Sequence, residues 1–143
     1  MTAEQRQRIQ NSFEQQTLMT LFNARLHSVN SGEVEITAPV TDGVTQQQGF
    51  AHAGLTFAIG DSSAGYAALT LMGPDQEVLT TEMKINLLAP GQGERLIARG
   101  RVIKPGRRLI VVGSDVFAQL GDTETHIATM LGTMIPVDLS TKD

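Results

Sequence analysis

Apolar and polar positions change their period along this chain. Ile9 and Phe13 recur at helical spacing behind Thr2-Ala3-Glu4-Gln5, a capping-box pattern with Thr2 as N-cap and Gln5 reaching back. A helix over 3–13 and a short helical turn at 17–21 are expected. Val34, Ile36, Ala38 and Val40 alternate with Glu33, Glu35 and Thr37, the period of a half-buried strand. Pro39 places that strand's end there, or the strand at an edge. A strand over 22–29 is its expected partner.

After a polar loop at 41–48, the residues from His52 to Met72 are mostly apolar and end at Gly73-Pro74-Asp75. Counted from Phe50, the stretch is long enough to span a bilayer. It also holds Asp61, three glycines, two serines and Thr56, and a central Asp is costly in lipid. A helix of about five turns buried in protein is the expectation. It has no polar face and is rich in Gly, Ala and Ser, so it must be surrounded, and its small side chains admit a sheet at close range. Strand patterns follow around 79–87, 96–102, 109–118 and 125–137, separated by Ala89-Pro90-Gly91, Lys104-Pro105-Gly106-Arg107 and Gly121-Asp122. Lys104–Arg107 has Pro and Gly where a type II turn uses them. Read as successive hairpins, these strands give an α+β fold, an antiparallel sheet wrapped around one long central helix. One domain over 1–143 is expected, with a helical segment at 1–21 and a tail at 138–143.

Composition narrows the chemistry. The absence of Cys removes disulfides, a thiol nucleophile and thiolate metal sites. A net charge of -4 argues against nonspecific nucleic-acid binding by the whole chain. The start shows neither a basic n-region nor an apolar h-region, so a cytoplasmic protein without a membrane span is expected. His27 and His126 stand apart in predicted strands, and no metal-ligand spacing occurs, so no metal or cofactor is expected. Asp61-Ser62-Ser63-Ala64-Gly65 misses the nucleophile-elbow pattern at its first Gly.

Asp61 is the residue hardest to explain as structure. A carboxylate inside an apolar helix needs a partner or a job, and general base or nucleophile is the functional reading. At the other end of the segment, the Ala53 and Gly54 N–H groups at the helix start suit a carbonyl oxygen becoming an oxyanion. His52 and Asp61 are nine residues apart, on opposite sides of the helix and roughly 13 Å apart along it. A single chain does not easily aim both at one small substrate. Two adjacent helices in a symmetric dimer do.

The run His52-Ala53-Gly54 with Asp61 nine residues after the His resembles the His-Gly-Gly…Asp signature of hotdog-fold acyl-CoA thioesterases. The match is most similar to the phenylacetate-pathway type. It extends through 83–90 and through the hairpin Gly100-Arg101-Val102-Ile103-Lys104-Pro105-Gly106-Arg107-Arg108. The resemblance implies hydrolysis of an acyl-CoA to a free acid and CoA. It implies Asp61 as the catalytic carboxylate, Gly54 as oxyanion donor and His52 as the residue shaping the helix start. Gln46 stands where the family often has Asn, and Thr80, with Thr81 as alternative, where it has Ser or Thr. Ala53 replaces the usual middle Gly.

Six of the 11 basic residues fall between Arg95 and Arg108. Such a patch suits the phosphates of CoA, or is a solvated hairpin whose edge charges prevent aggregation; the resemblance tips the reading toward CoA, at Lys104, Pro105, Gly106, Arg107 and Arg108. A homodimer is required for such a site, and the family implies a homotetramer. The alternatives are a noncatalytic acyl-CoA-binding hotdog protein and a hotdog hydratase or dehydratase.

Overall fold

A computed structural model of the protein describes residues 1–139. The first helix, α1 (Ala3–Glu14), begins with the expected reciprocal cap. Gln5 N–H donates to Thr2 Oγ1 and Thr2 N–H to Gln5 Oε1. α2 (Thr17–Leu21) follows, then β1 (Arg25–Asn30) and β2 (Glu33–Pro39). β1 starts three residues later than its pattern suggested, because α2 ends in a turn with Asn23 at φ 52. The central helix α3 (Ala53–Leu69) precedes β3 (Gln76–Leu87), β4 (Arg95–Lys104), β5 (Ile110–Leu120) and β6 (Thr123–Asp138). Asp138, expected in the tail, is the last residue of β6, and residues 140–143 of that tail lie outside the described residues.

All six strands form one antiparallel sheet in the order β1-β2-β4-β5-β6-β3. The hairpin reading fails at one junction. β3 and β4 are not neighbours: β3 pairs with β6, and β4 crosses over to pair with β2 and β5. The chain between them forms a single bridge to Ala51 instead, with Ala51 N–H donating to Gly91 O at 2.9 Å. β2 is therefore an inner strand, and Pro39 lies beyond the end of β1, where its missing N–H removes no ladder bond to that neighbour. The β4–β5 hairpin exists, but its connection is five residues and Gly106 does not take the positive φ of a type II turn. Gly106 is needed for another reason, since a Cβ there would collide with the Leu109 carbonyl oxygen.

The sheet holds α3 at short range. Ile36, Leu96, Ala98, Val112, Val116 and Met134 pack toward Leu55, Ile59, Ala64, Ala67 and Ala68, all nearly inaccessible to water. At Gly100 the strand backbone meets the helix backbone, and an added Cβ would overlap Ser63 and the Ala64 nitrogen. The buried Ser63 and Ser114 hydroxyls bond each other at 2.9 Å, and Ser63 also donates to the Gly60 carbonyl at 2.8 Å. This satisfies two polar groups that burial would otherwise penalise. No helix among the described residues is long and apolar enough to cross a membrane.

α3 is covered unevenly. From Ser63 to Leu69 every residue is buried, whereas Ala53, Gly54 and Phe57 are exposed and Ala58 and Asp61 half-exposed. Residues 54, 57, 58 and 61 share one helical face. The sheet leaves that stripe open.

Candidate active site

The uncovered stripe joins two places where polar groups gather. The first is the start of α3. His52 is its N-cap, and its ring Nδ1 accepts the Gly54 N–H at 2.8 Å. The accepting nitrogen carries no proton, which puts the ring's proton on Nε2. A Cβ on Gly54 would lie 2.9 Å from that Nδ1, so the ring's close approach is what requires glycine. The Gly54 amide expected to be open to a ligand is thus occupied by His52. The Ala53 amide makes no hydrogen bond among the described residues. Ala53 is an ordinary helical residue, so the replacement of the family's Gly introduces no strain.

Gln46 lies beside this helix start, in a tight turn closed by Gly49 N–H donating to Gln46 O at 2.9 Å, with Gly49 at φ +81. Its side-chain carbonyl accepts from the Gln48 and Phe50 amides. The carbonyl end therefore holds the loop, and the NH2 end makes only a 3.4 Å contact with Gln48. Gln46, Gln48, Phe50, Ala53 and Leu88 line a cavity of about 410 Å³ at the helix start. Gln48 was not singled out by the sequence, because nothing in its spacing distinguishes it from its polar neighbours.

The second place is Asp61. Its Oδ1 accepts the Thr80 hydroxyl at 2.8 Å. Thr80 reaches it from a bulge in β3, where the pairing slips between Thr80 and Glu82. Thr81, the alternative, donates instead to the Thr133 carbonyl at 3.0 Å. Burial raises the Asp61 carboxyl above the ordinary aspartate range, and the Thr80 bond opposes that shift. Asp61 and Thr80 line a cavity of about 220 Å³ together with Ser12, Gln16, Tyr66 and Glu77. The two cavities share no lining residue. Within one chain the helix start and the carboxylate are separate, as the nine-residue spacing required. Of the large apolar side chains near the helix, Phe50 and Leu88 line the first cavity and Tyr66 the second; Phe57 lines neither.

The basic hairpin divides in two. Arg99 is held by Glu35 and Glu124, at 2.9 and 2.8 Å, and Arg101 by Asp115 at 2.6 Å. Arg95 donates to Gln119 at 2.6 Å. Arg99 and Arg101 therefore do not contribute free positive charge to a patch as their spacing suggested, whereas Arg95 keeps its charge, since the Gln119 amide is neutral. Lys104, Arg107 and Arg108 are exposed at the tip and make no ion pair among the described residues.

The comparisons with known proteins agree with this architecture. Residues 48–125 match the family model described as the thioesterase superfamily. A thioesterase family protein from Silicibacter pomeroyi is 40% identical, with a TM-score of 0.92 over 94% of this chain and 98% of that one. Two more distant structures share the fold. They are the PaaI protein of the E. coli phenylacetic acid degradation operon (19% identity, TM-score 0.83, 93% of each chain) and a Bacillus halodurans protein solved with CoA (21% identity, TM-score 0.78, 94% of this chain and 84% of that one). A match over more than half its length, and a relative of that identity covering almost all of it, place this chain in the thioesterase superfamily, as a hotdog-fold thioester hydrolase.

Proposed function

We propose that the protein hydrolyses acyl-CoA thioesters at sites shared between two subunits. The observation that carries this reading is a half-buried carboxylate, Asp61, hydrogen-bonded by Thr80 in a cavity separate from its own helix start. Asp61 of one subunit then serves the α3 start of the other. The carboxylate either takes a proton from the attacking water or attacks the carbonyl itself. The carbonyl oxygen meets the free Ala53 amide and displaces the His52 ring from Gly54 N–H. A developing oxyanion forms a charge-assisted bond, about twice as strong as one to a neutral acceptor, so the exchange favours it as the reaction proceeds. The C–S bond breaks and the CoA sulfur leaves as the thiol with a proton from the attacking water, relayed by Asp61; where Asp61 attacks first, water then cleaves the acyl–Asp61 anhydride to the free acid, restoring the carboxylate and supplying that proton. The Gln46 NH2 group orients the carbonyl or the water.

β3 supports the dimer. It ends the sheet, its outer edge pairs with no strand among the described residues, and Leu79, Leu87, Leu88 and Phe57 are exposed on or near it. A second copy continuing the sheet removes that edge. The unpaired cations Lys104, Arg107 and Arg108, with the backbone at Pro105 and Gly106, bind CoA phosphates.

A free-thiol assay over acyl-CoA esters tests the activity: tight binding without thiol release would identify a binding protein instead. Subunit mixing tests the shared site. Asp61→Asn and Gly54→Ala homodimers are each expected to be nearly inactive. Heterodimers from an equal mixture hold one intact site of two, so random exchange restores about a quarter of wild-type activity. No recovery after confirmed exchange would place each site within one chain.

The acid limb of the pH profile offers a second check. The Thr80 bond lowers the Asp61 pKa, and Thr80→Val removes it. Since the working form is the carboxylate, the acid limb of kcat/KM is expected to move to higher pH. A limb that stays or moves lower would remove Thr80 from this role.

A further inference from the structure

The cavity at Asp61 continues along α3 toward Tyr66, five residues on, or ~7.5 Å along the helix axis. Its other walls are β3, at Glu77, Val78 and Thr80, and the end of α1, at Ser12. That helix is fixed in place: Arg6 donates to the Val29 carbonyl at 2.7 Å and Arg8 to the Gly73 carbonyl at 2.7 Å. The Tyr66 ring is only 4% exposed and meets the Phe13 ring edge-on at 6.0 Å.

The hydrogen bonds at this end can be counted. Gln16 Nε2 donates to the Tyr66 hydroxyl at 2.7 Å, and the Ser12 and Tyr66 hydroxyls bond each other at 3.1 Å. Ser62 donates to Gln16 Oε1 at 3.5 Å. The Ser12–Tyr66 pair carries two hydroxyl protons, and their mutual bond uses one. The Gln16 bond uses its own proton. One hydroxyl proton is thus left without an acceptor among the described residues, on the wall of the cavity. Burial pushes the Tyr66 phenol above its ordinary value, so it remains a neutral donor.

Two further features narrow what fits. Asp61 and Glu77 both line the space, and a negatively charged acyl end would face both, with Arg8, 3.7 Å from Glu77, offsetting only part of that charge. At about 220 Å³ the cavity is of a size that a short acyl group fills.

We propose that this cavity is the acyl subsite, and that Tyr66 and Ser12, steadied by Gln16, select short, uncharged acyl groups carrying an oxygen acceptor near their far end. The proposal rests on the thioesterase reading above and adds the substrate class.

Three esters of nearly one shape test it: 4-oxopentanoyl-CoA, 4-methylpentanoyl-CoA and succinyl-CoA, with acetyl-CoA as the short reference. The wild-type protein is expected to prefer the 4-oxo ester over the 4-methyl ester by about fivefold in kcat/KM, the scale of one neutral hydrogen bond. Succinyl-CoA is expected to be the poorest of the three. In Tyr66→Phe and in Ser12→Ala the 4-oxo to 4-methyl ratio falls toward one. Because a ratio is read, any general loss of activity cancels, and Ser12→Ala on the half-exposed face of α1 covers the case in which Tyr66→Phe misfolds. A wild-type ratio near one, or a ratio unchanged in both variants, overturns the subsite while acetyl-CoA hydrolysis still upholds the activity. No thiol release from any ester overturns both.

Discussion

Asp61→Asn is expected to lower kcat by about 10²–10⁴-fold, the range supplied by a positioned general base. The substitution preserves shape and the ability to accept the Thr80 hydroxyl, so the loss isolates the negative charge. It is also expected to stabilise the fold at neutral pH. Burial raises the folded-state pKa of Asp61 above its unfolded value, so between the two the folded protein holds the extra proton. The stability associated with that proton is whole below the ordinary aspartate value and is lost as pH rises through the raised one. At neutral pH the wild-type protein therefore carries an ionised group in a site that disfavours it, and Asn does not. The variant should melt higher than wild type near pH 7, and the gap should shrink on acidification. Thermal unfolding at several pH values checks this beside the kinetics. Near-wild-type turnover by Asp61→Asn would end the proposed chemistry, whatever the melting curves show.

Gly100→Ala is expected to destabilise the protein by about 3 kcal/mol or more, at the upper end for overpacking. The added methyl lands on the backbone of α3 at Ser63 and Ala64, not on a flexible side chain, so relief requires the helix to move off the sheet. In a domain of this size that is roughly 10 °C in Tm, compared at fixed protomer concentration. Gly43→Ala serves as the control, since nothing lies within 4 Å of a Cβ there and its φ is not in the left-handed region. Equal melting of the two variants would mean that the sheet and helix are not in contact at Gly100.

The central helix was legible because two independent signals coincide in it, the lack of a polar face and the abundance of small residues. α1 was read to within one residue at its end from capping and spacing, and α2 was placed near its observed position. Strand order was not legible at β3. Its alternation says which side chains share a face, but the choice of β6 over β4 as neighbour is made by pairings some fifty residues apart in sequence. The bulge at Thr80 has the same origin, and only the family resemblance singled out that residue. Asp61 stood out because a charge in an apolar run is conspicuous. Ser12, Gln16 and Ser62 did not, because polar residues on or near helix surfaces are ordinary until a fold brings them to one hydroxyl. The basic hairpin misled in part. Arg99 and Arg101 point to acidic residues on neighbouring strands, Glu35 and Asp115, that linear spacing does not reveal.

The uneven covering of α3 divides one helix between two kinds of selection. From Ser63 onward a tolerated change must fit a closed interior, and a bad one shows as lost protein in the cell. On the open stripe at 54, 57, 58 and 61 a change can leave abundance untouched and still silence the enzyme. Activity can therefore drift along that stripe, while the buried positions of the rod keep the scaffold constant.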